Sequence, residues 1–173
     1  MGDGALRKQG TRTNALLEVN HSAKYSDYVD WKYNIFKQLT ITPPKRRKNN
    51  GLRVAYRFTT RSLSIFTQYY DWFYKDGKKQ IPLNLKLNPL TLAVWFMDDG
   101  SKSRNAVYLN TQQFSVDEQV VLQKILEETH GIESTLNRDK HYYRIRIRTS
   151  SMQKYMDTIR PYVRTCFEYK LTQ

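Results

Sequence analysis

Hydrophobic and aromatic residues recur at steps of three and four in two segments of the chain, residues 20–41 and 111–132. This spacing is typical of one face of an α-helix, and a possible N-cap serine, Ser26 or Ser115, lies near each start, so we predict two helices. Laid on each other without a gap, the segments pair residues of similar character: Tyr25 with Val116, Val29 with Val120, Trp31 with Leu122, Ile35 with Leu126, and Ile41 with Ile132.

Alternating strand residues follow each predicted helix and indicate a strand that leads into a further helix. The apolar faces of these two strands are Val54, Tyr56 and Phe58, and Tyr143, Ile145 and Ile147. The opposite faces carry arginines, which are Arg53 and Arg57 in the first strand and Arg144, Arg146 and Arg148 in the second. Aligning the two strands places Arg57 on Arg146.

A third match joins residues 1–8 to residues 97–104, each with an Asp-Gly pair. Three matches in the same order, about ninety residues apart, predict a duplicated half-domain. We expect a first half over residues 1–79, a linker bounded by prolines over 80–89, and a second half over 90–173. Because strands and helices do not alternate regularly, the predicted class is α+β.

The hydrophobic pattern leaves two local features open. The apolar run from Leu90 to Met97 is predicted to be a buried helix that ends at Asp98 and Asp99, although its length also permits a strand. The first strand of each half, within residues 14–21 and 105–112, keeps an open register, because the alignment that gives a core face to the second copy buries Glu18 in the first.

The composition of the chain predicts a polyanionic partner. The chain has 29 Lys and Arg against 16 Asp and Glu, a formal net charge of +13. Nucleic acid is the favoured partner, because a phosphate backbone exchanges its counterions for such cations. A basic ribosomal or merely soluble protein is the alternative, and a membrane partner is not expected, because no helix combines a basic face with an apolar one.

Several classes are excluded by composition. With 39% hydrophobic and 13% aromatic residues the chain can form a packed core, so wholesale disorder is not expected. No segment approaches the roughly 18 apolar residues of a membrane span. The one cysteine, Cys166, cannot form an internal disulfide or a multi-cysteine zinc site.

Cations at three kinds of position are candidate DNA contacts. The strand arginines would form a basic sheet face suited to the major groove, although a solvated sheet face is the plain alternative. Four consecutive cations are expected on a loop that contacts the phosphate backbone: Lys45, Arg46, Arg47 and Lys48. Lys102 and Arg104 follow the second Asp-Gly pair and complete the predicted set.

Asp3 and Asp99 are the candidate metal ligands. Each precedes a glycine at an equivalent point of the repeat, so the two would meet near a pseudo-twofold axis. There they would hold Mg²⁺, which prefers oxygen ligands and uses few carboxylates. A single Asp-Gly pair is most often a plain turn, and only the duplication favours a site. The histidines, His21, His130 and His141, lack metal-ligand spacing and are expected at the surface or at DNA.

The string Leu92-Ala-Val-Trp-Phe-Met-Asp-Asp-Gly100 resembles the signature of the LAGLIDADG homing endonucleases, in the single-chain form with two motifs. The resemblance implies an α+β fold of two pseudo-symmetric αββαββα half-domains with antiparallel, saddle-shaped sheets. Only residues 1–4 match the first motif, so the first signature helix is expected to be truncated. The implied activity is Mg²⁺-dependent cleavage of both strands of a long DNA site.

Carried over to this sequence, the resemblance makes Asp3 and Asp99 the metal ligands, with Asp98 in a supporting role. It also implies a basic residue near each centre, and Lys79 and Lys170 match; contact with the phosphate backbone is their alternative role. Double-stranded DNA is then the expected partner of a monomer, in an organelle, either mitochondrion or chloroplast. The alternative function is a non-cleaving RNA-binding protein, either a maturase that binds structured intron RNA or a ribosome-associated protein.

Overall fold

The computed structural model describes residues 2–10, 13–48, 54–104 and 106–172. The chain forms two compact units, one of residues 3–77 and one of residues 78–173 together with residues 1–2. The predicted linker, residues 80–89, lies in the second unit, where Ile81, Leu85 and Leu87 are buried. Within the described ranges, no helix has both the length and the apolar character needed to span a bilayer.

The first unit is a four-stranded antiparallel sheet with two main helices. Its elements are β1 (Gly4–Arg7), β2 (Leu16–Ser22), α1 (Ser26–Phe36), β3 (Lys45–Lys48), β4 (Val54–Thr59), α2 (Ser64–Phe73) and β5 (Tyr74–Lys75). The strand order is β1-β2-β4-β3. Val19, Val29 and Phe58 form its buried core cluster, in which α1 covers one face of the sheet.

The second unit repeats this arrangement. Its elements are β6 (Lys78–Lys79), α3 (Pro89–Asp99), β7 (Gly100–Ser103), β8 (Ala106–Leu109), α4 (Val116–His130), β9 (Ser134–Asp139), β10 (Tyr142–Ile147), α5 (Met152–Ile159) and α6 (Tyr169–Thr172). The strand order is β7-β8-β10-β9, the same as in the first unit. From α3 to α5 the order is αββαββα, and the first unit has the same order from its first strand, which confirms the α+β class.

Sheet register corrects the alignment of the two halves. In each sheet a glycine and two apolar residues lie side by side on adjacent strands: Gly4, Val19 and Phe58 in the first, and Gly100, Leu109 and Ile145 in the second. Arg57 precedes Phe58 as Arg144 precedes Ile145, so its counterpart is Arg144. The predicted match with Arg146 is wrong by two residues. Because side chains alternate with a period of two, this shift preserves the predicted faces.

The gapless pairing of the two helical segments is also wrong. Val29 is fully buried whereas Val120 is 37% exposed, and Ile35 is 57% exposed whereas Leu126 is buried. Only Ser115 caps its helix, by accepting a hydrogen bond from Glu118 N in a capping box. Ser26 is instead the first residue of α1. The helices have 11 and 15 residues and begin differently, so their buried faces have different phases.

The apolar run before the second Asp-Gly pair is a helix, as predicted. Asn88 caps α3 by accepting a hydrogen bond from Thr91 N at 2.8 Å, and Pro89 occupies the first turn. The helix buries Leu92, Ala93, Trp95, Phe96 and Met97. Full burial of a large apolar side chain contributes about 1.5–3 kcal/mol, which explains why this helix is enclosed.

Gly100 ends α3 and begins β7. Its backbone is extended, so the glycine is not required by a left-handed conformation. A Cβ at this position would instead lie 2.6 Å from the carbonyl oxygen of Phe96. Close packing of backbone on backbone therefore selects glycine here.

Candidate functional site

Asp99 is the last residue of α3, and its carboxylate is held by a main-chain group. Gly2 N donates a hydrogen bond to Asp99 Oδ2 at 2.8 Å. Gly2 has a φ of +78°, and a Cβ on it would lie 2.5 Å from Asp98 Oδ2. The positive φ therefore favours glycine at position 2, and a Cβ there would displace the end of the Asp98 side chain. The amide of Gly2 holds the Asp99 carboxylate.

Asp3 directly precedes β1, and its carboxylate is held by a side chain. His21 Nδ1 lies 3.1 Å from Asp3 Oδ2; the Asp3 side chain is 45% exposed and that of His21 only 4%. The expectation that His21 lies at the surface is therefore wrong. His21 is on β2, on the face that also carries the core residue Val19, and so it points away from solvent.

His21 has a second charged neighbour. Lys32 Nζ lies 3.1 Å from His21 Nε2, and Lys32 is only 7% exposed. The ammonium also lies over the ring of Tyr28, 4.3 Å from its centroid, and the Tyr28 ring packs edge-on to His21. Tyr28 and Lys32 are four residues apart on α1, which places both on one face of the helix.

The contact between His21 and Lys32 was not predicted from the sequence, because neither residue is part of the apolar pattern that marks a buried face. The available signal was the spacing of Lys32 from Val29 and Tyr28, which are both fully buried. A lysine three and four residues after such positions lies on the buried face of a helix.

The position equivalent to His21 in the second half carries a neutral residue, Thr111. Thr111 lies two residues after Leu109, as His21 lies two residues after Val19, and it is fully buried. Its hydroxyl donates to Gln119 Oε1 at 2.8 Å and accepts from Ile145 N at 3.1 Å. The two halves therefore share a fold but differ in the chemistry of this position.

Each of the two predicted lysines donates to its own signature motif. Lys170, on α6, reaches three carbonyl oxygens at the end of α3: Phe96 at 3.3 Å, Met97 at 2.8 Å and Gly100 at 2.8 Å. Lys79, on β6, donates to the carbonyl oxygen of Gly2 at 3.4 Å. A cation at the C-terminus of α3 also interacts favourably with the helix dipole.

The run of four cations is a strand rather than the predicted loop. It forms β3, the edge strand of the first sheet, and all four side chains are exposed. Lys45 lies opposite Arg57, so Lys45, Arg47 and Arg57 share the face away from the core. Arg46 and Lys48 point to the other face of this edge. Edge position and charge are compatible because cations on an edge strand discourage pairing with another chain.

Glu18 also lies on the basic face of the first sheet. It is opposite Ala5 on β1 and Thr59 on β4, which resolves the register of β2 that the sequence left open. Although Glu18 is 9% exposed, its carboxylate is paired with Arg7 at 2.8 Å and approaches Arg57 at 3.9 Å. A buried carboxylate is tolerated when it is paired in this way.

In the second sheet Arg144 and Arg146 lie on the face opposite the buried Ile145 and Ile147, as predicted. The Arg144 guanidinium stacks on the ring of Tyr108, 4.1 Å from its centroid. Within the described part of the chain, the Nε atoms of both arginines are buried and lack a hydrogen-bond partner. Both guanidinium groups nevertheless belong to the outer face of the sheet.

The remaining predicted cations lie elsewhere. Lys102 is opposite the buried Val107, on the core side of β7, and donates to Leu171 O at 3.0 Å. Arg104 is exposed in the turn after β7. Arg148 is exposed and lies 3.6 Å from Glu133 Oε2. Arg53 falls outside the described residues.

Tyr56 lies on β4, opposite Arg46 of the edge strand β3, and its pKa is shifted. Partial burial, and then its hydrogen bond to Asp30 Oδ1 at 3.0 Å, raise the pKa of Tyr56 above its usual value. Tyr56 therefore keeps its proton at neutral pH and acts as a donor that ties β4 to α1.

Comparison with known proteins gives a consistent result. The sequence matches the family described as the LAGLIDADG DNA endonuclease family over residues 1–155. It is 27% identical to the cytochrome b mRNA maturase bI2 of Debaryomyces hansenii, over 99% of this chain and 70% of that protein. It is 26% identical to DNA endonuclease I-ChuI of Chlamydomonas applanata, over 99% of this chain and 90% of that protein. The solved structure of the homing endonuclease I-WcaI bound to its DNA recognition sequence superposes with a TM-score of 0.88, at 26% identity, over 98% of this chain and 80% of that one.

Proposed function

Because the chain belongs to the LAGLIDADG DNA endonuclease family, we propose that it is a site-specific homing endonuclease that hydrolyses one phosphodiester on each strand of a long DNA site. The observation that carries this proposal is the equivalence of two acids. Asp3 and Asp99 each precede the glycine that pairs with an apolar residue of the next strand, Val19 in one half and Leu109 in the other. Such equivalence is expected when a duplicated fold cuts two strands.

Asp3 and Asp99 fit a divalent metal, and we propose Mg²⁺. Both supply carboxylate oxygens, the ligand type that Mg²⁺ prefers, and each is held in place by a hydrogen-bond donor, His21 or Gly2. When bound, Mg²⁺ would neutralise charge on the scissile phosphate and lower the pKa of the attacking water.

Lys79 and Lys170 are the proposed basic residues of the two centres. Each donates to at least one carbonyl oxygen of a signature motif, and an anchored ammonium group stabilises negative charge better than a mobile one. Their proposed role is electrostatic stabilisation of the phosphate during hydrolysis.

DNA binding is proposed for the two basic sheet faces, centred on Arg57 in the first half and Arg144 and Arg146 in the second. Support comes from the positive charge of these arginines on the outer faces of the sheets and from the I-WcaI structure, which was solved bound to its DNA recognition sequence. Lys45 and Arg47 extend the first face to its edge. The contacts of Arg46, Lys48, Arg53, Arg104 and Arg148 remain predictions. Lys102 lies on the core side and donates to Leu171 O, so no DNA contact is proposed for it.

Cleavage of a supercoiled plasmid that carries the cognate insertion site, with Mg²⁺, tests this function. We expect Asp3→Asn and Asp99→Asn to abolish double-strand cleavage while binding in a gel-shift assay persists. Asp71→Asn is the matched control, because the Asp71 side chain is 64% exposed and its ion pair with Lys8 Nζ is long, at 3.9 Å. Cleavage that survives in both motif variants would contradict the site assignment.

RNA binding without cleavage is the second candidate, favoured by the maturase bI2 relative. Direct comparison of binding to the DNA site and to structured intron RNA separates the two. Preference for RNA together with no metal-dependent cleavage would support the maturase role. The intron-encoded and maturase relatives also support a proposed organellar origin, and the duplication within one chain supports a proposed monomer.

A further inference from the structure

One equivalent position on the outer face of the two sheets contacts an arginine in both halves, but through different chemistry. We propose that Glu18 in the first half and Tyr108 in the second are positioning residues, which orient Arg57 and Arg144 for contact with the base edges of DNA. The proposal rests on the DNA binding proposed above and adds the residues that set base preference.

Glu18 and Tyr108 occupy the same place in their sheets. Each directly precedes the apolar residue that fixes the register of its strand, Val19 on β2 or Leu109 on β8. Each is therefore the diagonal neighbour of the arginine on the next strand, a distance that long and aromatic side chains span. The two halves agree in this geometry and differ in the residue type that occupies the position.

In the first half the contact is electrostatic. The Glu18 carboxylate accepts a hydrogen bond from Arg7 at 2.8 Å and lies 3.9 Å from the guanidinium of Arg57. The Glu18 side chain is only 12% exposed, so solvent ions screen these attractions weakly. Arg7 and Arg57 themselves are 63% and 37% exposed, which leaves both side chains accessible to DNA.

The residue on the other side of each arginine explains why the chemistry differs. Lys45 of β3 is directly opposite Arg57, and like charges in opposite positions repel. Asn137 of β9 is directly opposite Arg144 and is neutral. An acid is therefore needed beside Arg57 to offset the repulsion. At Arg144 an aromatic ring suffices, and the guanidinium lies over the Tyr108 ring, 4.1 Å from its centroid.

An arginine held in one orientation discriminates between bases better than a mobile one. Its planar guanidinium donates two parallel hydrogen bonds to guanine in the major groove, and both bonds form only in the right plane. A good contact of this kind favours its base pair by about 5–150-fold. Glu18 also subtracts one charge from the face, so it raises selectivity while it lowers affinity for DNA of any sequence. Tyr108 raises selectivity without changing the charge.

Competition binding without metal ions tests the first half of the proposal, with duplexes that carry the insertion site or a single base-pair substitution in it. We expect Glu18→Gln to reduce discrimination at some base pairs from about 5–150-fold to about threefold or less. The slope of log affinity against log salt should rise by about 1 in the same variant. In an Arg57→Gln background, Glu18→Gln should cause no further loss at the base pairs that Arg57→Gln affects, because Glu18 acts there through Arg57.

Tyr108→Leu tests the second half of the proposal in the same assay. We expect a similar loss of discrimination, at different base pairs, with an unchanged salt slope because no charge is removed. Tyr108→Phe keeps the ring and should restore the wild-type discrimination. Proton NMR without DNA gives an independent readout: the side-chain signals of Arg144 should be shifted upfield by the ring, in the wild type and in Tyr108→Phe but not in Tyr108→Leu.

Urea unfolding establishes that each variant is folded under the binding conditions. Wild-type discrimination in Glu18→Gln and Tyr108→Leu would overturn the proposal, as would a wild type that binds all duplexes equally. A loss in Tyr108→Phe as large as that in Tyr108→Leu would also overturn it, because the hydroxyl would then contact DNA directly. A wild type that discriminates between duplexes but cuts none with Mg²⁺ would contradict the endonuclease function alone.

Discussion

The amide nitrogen of Gly2 donates a hydrogen bond to the carboxylate of Asp99, 97 residues away in the sequence, at 2.8 Å. This bond ties the start of the chain to the end of the second signature helix, inside one compact unit. A main-chain donor is available to any residue type, yet the positive φ at position 2 favours glycine. The contact leads to the first prediction.

Gly2→Ala should reduce cleavage through displacement of Asp98 and Asp99. Its φ of +78° costs a non-glycine residue about 1–2 kcal/mol, and its new Cβ would force Asp98 Oδ2 to move. Gly77→Ala is the matched control, because Gly77 has a φ of +74° but nothing within 4 Å of the new Cβ. Urea unfolding should show a similar loss for both, and only Gly2→Ala should lose cleavage.

Lys170→Met should affect both stability and cleavage. Loss of three hydrogen bonds to the end of α3 should lower the free energy of unfolding by about 2 kcal/mol, because bonds to charged groups are worth roughly 1.5–3 kcal/mol. Lys79→Met loses the long bond to Gly2 O, a contact that contributes less than the three of Lys170. If both lysines stabilise the phosphate, both variants should slow cleavage by roughly 10²–10³-fold. A drop in stability without slower cleavage would make Lys170 a helix-capping residue only.

Arg144→Gln should weaken DNA binding and lower the slope of log affinity against log salt by about 1, as expected for one lost phosphate contact. Lys102→Gln removes the same charge from the core side of the same sheet, where its ammonium already donates to Leu171 O. Its salt slope should remain that of the wild type. Equal slopes in all three proteins would remove Arg144 from the DNA interface.

Glu18→Gln should tighten DNA binding. The substitution removes the carboxylate that neutralises Arg7 and approaches Arg57, so the salt slope should rise by about 1. Glu128→Gln, at an exposed position on α4, adds the same net charge and controls for long-range electrostatics. Fluorescence anisotropy over a range of salt concentrations measures both, and an equal increase in the two variants would mean that only net charge matters.

Much of the fold follows from local patterns. The duplication, the helix from Leu90 onward and the two faces of β10 were predicted because helical and strand periodicities are visible in a few neighbouring residues. The burial of Glu18 could not be predicted from local patterns, because Arg7, which pairs with its carboxylate, lies on the adjacent strand. The strand formed by Lys45–Lys48 was also missed, because its composition is that of a loop and its pairing partner β4 supplies the reason for the extended conformation.

Residue type and spacing along the chain were enough to predict the half-domain repeat, the α+β class, the basic sheet faces and the candidate acids. Which residues are equivalent between the halves follows from the folded structure alone, since register depends on hydrogen bonds between strands. The folded structure also brought Lys32 of α1 to His21 of β2, and His21 to Asp3. These contacts join separate elements, so their geometry depends on how helix and sheet pack.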